Sequence, residues 1–119
     1  MVCKVHLDLP SWRRIRSSSE FRRIMSRGKA HHFGDLVVVA APNRLQGARL
    51  GISIRRTVAG AVGRNLLKRW IREAFRTNRT LRELPVDMVV VARRMRGNTR
   101  YRDIAEALGE FARRWRGQG

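Results

Sequence analysis

The run Val86–Ala92 (VDMVVVA) constrains the fold more than any other feature of the chain. Its seven residues hold one acid and no cation, in a sequence where Lys and Arg total 27. A segment of strand length and this apolar character has to be covered on both faces, so it reads as a doubly buried strand introduced by Pro85 and Asp87. A second run of the same kind, LVVVAA at 36–41, ends at the turn signal Pro42-Asn43. Residues 49–55 alternate instead, with Leu50, Ile52 and Ile54 on one face and Gly51 and Ser53 on the other. The short connection between these last two segments predicts a hairpin.

Helical spacing accounts for the rest. Ser17 and Glu20 stand at capping-box distance, followed by Phe21, Ile24 and Met25 and closed by Gly28, which predicts a helix at 18–27. A long helix is expected at 59–78. A last one, capped by Thr99, carries Ile104, Ala105, Leu108, Phe111, Ala112 and Trp115 along one stripe. The order α-β-β-α-β-α describes an α+β two-layer sandwich, one sheet with helices against it. With 119 residues, no repeats and no linker-like stretch, residues 1–119 form one domain, preceded by an extended basic lead-in at 1–16.

Nine acids face the 27 cations, for a net charge of +18. A folded domain this basic repels itself unless it meets a polyanion. All of the cations except Lys4, Lys29 and Lys68 are arginines, whose planar forks suit phosphate contacts and base stacking. A membrane surface would call for one basic amphipathic helix, whereas the charge here runs from Arg13 to Arg116, so nucleic acid is the expected partner. The apolar runs are too short to span a bilayer and the N-terminus lacks a signal-peptide core, which points to a soluble cytoplasmic protein. Cys3 is the sole cysteine, so no intrachain disulfide is expected, and the adjacent His31 and His32 point to opposite faces of an extended segment, a poor start for a metal site.

On a helical wheel of about 100° per residue that starts at Val62, Leu66, Leu67, Trp70, Ile71 and Ala74 share one arc. Asn65, Lys68, Arg69, Arg72 and Arg76 occupy the opposite arc, with Arg64 at its edge; Glu73 and Phe75 break the pattern. Such a charge run is usually a plain solvated face. Solvated faces, however, mix signs to gain i,i+4 pairs, and this arc holds no acid. It is suited to lie along a phosphate backbone.

The same region, ARLGISIRRTVAGAVGRNLLKRWIREAFR at 48–76, resembles the signature of the bacterial ribonuclease P protein family. Gly51, Ser53, Ala61, Val62, Arg64, Asn65, Lys68, Arg69, Arg72, Glu73, Ala74 and Phe75 match its pattern. Upstream, SSSEFRRIMSRG is similar to that family's first helix, and downstream VDMVVVAR to its Asp-led strand, so the likeness spans roughly residues 14–115. Leu66 stands where the motif usually has a third Arg, Thr57 where Lys is common, and Ala59-Gly60 in place of Gly-Asn. Met25 and Val39 occupy positions that are often aromatic. On the wheel Leu66 belongs to the apolar arc, which assigns it to packing.

The resemblance implies a mixed sheet with a left-handed βαβ crossover, against the general right-handed rule. It also implies a protein that assists a catalytic RNA in removing the 5′ leader of precursor tRNA. Carried over by position, Arg64, Asn65, Lys68, Arg69, Arg72 and Arg76 would hold RNA phosphates. Phe21, Arg22, Val37, Val39, Arg55 and Arg56 would form a leader cleft between the first helix and the sheet. A plain core role for Phe21 remains equally open. One protein per catalytic RNA is expected, with magnesium required by the RNA and no cofactor on the polypeptide.

No catalytic centre is expected in the chain. A metal-dependent nuclease gathers several carboxylates around its ions, and the nine acids here are scattered, apart from Asp103, Glu106 and Glu110 on one helix face. Three other readings compete: a general RNA-binding module, an autonomous nuclease, and a DNA-binding regulator. The last lacks a helix-turn-helix, since a strand precedes the basic helix.

Overall fold

The computed structural model describes residues 13–15, 17–45 and 47–115. The lead-in up to residue 12, Cys3 included, lies outside them. The elements are α1 (Ser18–Arg27), β1 (Lys29–Phe33), β2 (Leu36–Pro42), β3 (Arg49–Ile54), α2 (Ala61–Thr77), the single turn α3 (Arg79–Arg82), β4 (Val86–Ala92) and α4 (Tyr101–Arg114). They build the expected α+β architecture around one mixed sheet of order β1-β2-β4-β3.

The expected hairpin between 36–41 and 49–55 does not form. β4 lies between those strands, antiparallel to β2 and parallel to β3. The physical reason is coverage. The two runs without polar alternation, β2 and β4, take the centre, where both faces are buried. The alternating β3 takes an edge, and α2 carries the chain across to its parallel neighbour. The second edge is β1, an additional strand joined to β2 through the two-residue turn Gly34-Asp35, where Gly34 adopts φ +61°.

Helices cover the sheet unequally. The larger core joins Leu36, Val38, Ala40, Met88 and Val90 of the sheet to Leu67, Ile71 and Phe75 of α2 and Leu108 and Phe111 of α4. On the opposite face Ile24 of α1 sits with Val37, Val39, Val89 and Ile15 in a smaller core. Helix α1 thus adds a partial third layer to the two-layer body. Gly28 lets it close in: a Cβ there would stand 2.5 Å from the Ile24 carbonyl oxygen and 2.9 Å from Val39 Cγ1. Ser17 caps α1, its Oγ accepting from Glu20 N–H at 3.4 Å.

Thr99 does not cap the last helix. Its Oγ1 accepts from Arg96 N–H in the preceding turn, and the helix opens at Arg100, whose N–H donates to Asp103 Oδ2 at 2.9 Å. The two histidines do divide between faces. His31 meets Phe111 and Trp115 edge-on at 5.3 and 6.2 Å, while His32, paired with Val37, lies on the α1 side of the sheet.

Candidate nucleic-acid interface

Two basic surfaces emerge, one on α2 and one beside α1. In α2 the buried stripe is Leu67, Ile71, Ala74 and Phe75. It is rotated from the expected arc: Phe75, read as a break in the pattern, is fully buried, Leu66 and Trp70 of that arc are only half-buried, and Val62, from which the wheel was started, is 84 % exposed. Tertiary packing moved it, because α4 and the sheet enclose the side on which Phe75 lies. The rotation leaves Asn65, Lys68, Arg69 and Arg72 around an open groove of about 540 Å³, together with Val62 and Leu66. Leu66 is half-buried at the surface, so the packing role expected of it is partial.

The six residues expected to hold RNA phosphates are not equally free. Arg64 Nη1 donates to the carbonyls of Ala59 at 2.8 Å and Arg56 at 3.3 Å, which fastens the turn before the helix. Arg76 forms an ion pair with Glu73 at 2.8 Å. Lys68, Arg69 and Arg72 have no carboxylate partner among the described residues.

The second surface is a cleft of about 400 Å³ between α1 and the sheet. Val37, Val39 and Arg55 line it. Met25, His32, Val91, Ala92 and Arg93 complete the lining. Arg22 and Arg56 are exposed nearby in the chain but do not line it. Phe21 is half-buried in the smaller core, its ring against Gly51, and it is Met25 one turn later that faces the cleft. Period-2 parity in β2 and β4 could have added Val91 and Arg93 to the site, since they extend the face of Val89. Finding His32 required recognising β1, whose turn Gly34-Asp35 is a hairpin signal.

An ionic network behind the cleft had no local sequence signature. Asp87, 2 % exposed, accepts from Arg49 Nε at 2.9 Å, Arg49 Nη2 at 2.7 Å and Asn43 Nδ2 at 2.8 Å. Arg23 of α1 approaches it at 3.5 Å, and Arg49 also pairs with Glu20 of α1 at 3.0 Å. Burial opposes ionisation of Asp87, but the hydrogen bonds from Arg49 and Asn43 and the charges of Arg49 and Arg23 outweigh it and hold the carboxyl below its ordinary value. The network ties α1 to β3 and β4, and so fixes one wall of the cleft.

Asp35, Glu83 and Glu110 pair with arginines, and Asp103 serves the α4 N-terminus. Among the described residues no group of three or more His, Cys, Asp or Glu could hold a metal ion. No helix among them is long and apolar enough to cross a membrane.

Comparison with known proteins agrees with this architecture. The family described as Ribonuclease P matches residues 9–116. The ribonuclease P protein component of Syntrophus aciditrophicus is 32% identical over 103 residues, covering 87% of each chain. That of Clostridium botulinum is 36% identical over 97 residues, 80% of this chain and 86% of the relative. The solved RNase P protein of Thermotoga maritima superposes with a TM-score of 0.75 at 31% identity, covering 87% of this chain and 98% of its own.

Proposed function

The chain belongs to the ribonuclease P protein family, and from that premise we propose that it binds the catalytic RNA through α2 and the 5′ leader of precursor tRNA in the α1 cleft, so as to assist removal of the leader. The observation that carries this reading is the face of α2, where Lys68, Arg69 and Arg72 surround one open groove without a carboxylate partner among the described residues. Cations left unpaired in a protein of net charge +18 are a site for polyanion. Asn65 adds an amide to the same groove, and Arg64 and Arg76 carry further charge on the same helix outside its lining, each restrained by its own partner.

The cleft fits a single strand. Its valine floor offers apolar contact to bases of any identity, and Arg55 and Arg93 stand where phosphates would pass. Phe21 supports the α1 wall from the core, and Arg22 and Arg56 extend the positive potential along the approach. Leaders differ in sequence, so a clamp that reads backbone and apolar base faces suits the task.

The reaction itself is assigned to the RNA partner in a one-to-one complex. Among the described residues most acids are committed to arginines and none gather into a group that would suit a magnesium site, so no chemical step is routed through them. The polypeptide supplies cations among crowded phosphates, which lowers the concentration of magnesium the RNA needs. Cleavage of a leader-bearing precursor tRNA at low magnesium tests the reading, with the protein alone, a bacterial ribonuclease P RNA alone, and both together. Cleavage in the mixture alone is expected. Cutting by the protein alone, or no stimulation of a cognate RNA, refutes it.

A further inference from the structure

The outer face of α2 is not purely cationic. Val62 is 84 % exposed, and Leu66, one turn later, borders the same groove as Asn65, Lys68, Arg69 and Arg72. Phosphate binding does not call for this aliphatic pair. A paired A-form helix meets a protein mainly with phosphates, 2′-hydroxyls and the polar base edges of its minor groove, and keeps its base faces stacked away from Val62 and Leu66. An unstacked base does: it has an apolar face, a hydrogen-bonding edge and a phosphate on either side. The Asn65 amide can donate and accept at such an edge. Arg64 is drawn off by its bonds to the Ala59 and Arg56 carbonyls, which leaves the groove to Lys68, Arg69 and Arg72 as its cations.

We propose that Val62 and Leu66 form a seat for an unpaired nucleobase of the bound RNA, with Asn65 at the base edge and Arg69 and Arg72 on the adjoining phosphates. The inference rests on the reading of α2 as an RNA-binding helix and adds to it what kind of RNA structure the helix selects. A second copy of the chain is the other class of partner for an exposed aliphatic pair. It would bring two cation-rich faces together, and like-charge juxtaposition disfavours that.

The test is equilibrium binding of the full-length protein across a range of salt. Its probes are a ribonuclease P RNA and a fully paired RNA duplex of similar length. Val62→Ser and Leu66→Ala are each expected to weaken binding of the ribonuclease P RNA by roughly tenfold, about 1.4 kcal/mol, with the salt slope unchanged. Duplex binding should not respond. Arg69→Ala, in contrast, should flatten the slope by about one phosphate. Because Leu66 is half-buried, its variant is compared by thermal unfolding; Val62, exposed in the first turn, tests the seat without disturbing the core. Unchanged affinity in both aliphatic variants, beside a flattened slope in Arg69→Ala, overturns the seat and leaves the RNA-binding reading standing. Equal losses on the duplex, or loss of self-association in place of RNA affinity, also overturn it. An intact slope in Arg69→Ala would instead remove the reading of α2 on which the seat depends.

Discussion

Asp87 is ionised at 2 % exposure because Arg49, Asn43 and Arg23 converge on its two oxygens. Replacing it by Asn leaves the half-buried Arg49 with Glu20 as its remaining carboxylate partner among the described residues, so Asp87→Asn should cost about 1–3 kcal/mol in chemical denaturation. With its folded pKa below the unfolded value, the carboxylate contributes stability above about pH 4 and loses it as pH falls through the folded value. The acid limb of the stability profile should therefore be shallower in the variant. His31 behaves differently. Burial, then Lys29, Arg114 and His32, lower its pKa. Below about pH 6.5 the unfolded chain takes up the proton more readily than the folded one, so stability falls as the solution is acidified toward the folded value. Urea midpoints at about pH 7.5 and about pH 5.5 should differ more for the wild type than for His31→Leu.

Among the elements, α1 links stability to the proposed leader cleft. It touches the sheet through Ile24, through Gly28, where a Cβ would collide with two carbonyls and Val39, and through Glu20 and Arg23 in the ionic network. Gly28→Ala forces the helix off β2 and should destabilise the fold by about 1–3 kcal/mol. It should also weaken binding of leader-bearing precursor more than binding of the catalytic RNA, as a filter assay with each ligand would show. For α2 the outcome runs the other way. Arg72→Ala touches no packing and should leave the melting temperature unchanged, while the slope of log affinity against log salt falls by about one phosphate. The boundaries of α1 and β4 were legible because cap, apolar spacing and terminal glycine or proline agree there. The rotation of α2 was not, since the wheel weighs Val62 and Phe75 alike and α4 decides which of them is enclosed.

At the scale of the whole molecule, the net charge of +18 acts on folding and binding with opposite sign. Self-repulsion destabilises the free protein, and added salt screens it over a Debye length of about 8 Å near physiological strength. The melting temperature of the free protein should therefore rise with moderate salt, while affinity for RNA falls over the same range. Thermal scans and binding isotherms at matched salt check both trends, and a melting temperature that falls with salt would show that the surface ion pairs outweigh the self-repulsion.

Composition, apolar runs and helical spacing by themselves determined the class of fold, the places of its main helices and two central strands, and the cationic face of α2. These follow from local rules that a segment carries wherever it is placed. What lies beside what belonged to the tertiary structure. The insertion of β4 between β2 and β3 follows from competition among strands for the doubly covered centre. The convergence of Arg49, Asn43 and Arg23 on Asp87 joins residues up to 64 positions apart. The emergence of Val62 and Leu66 beside Asn65 depends on which side of α2 the sheet and α4 enclose. Each is a choice among packings that the local pattern allows equally, settled by which arrangement buries the apolar surface and leaves no buried charge unpaired.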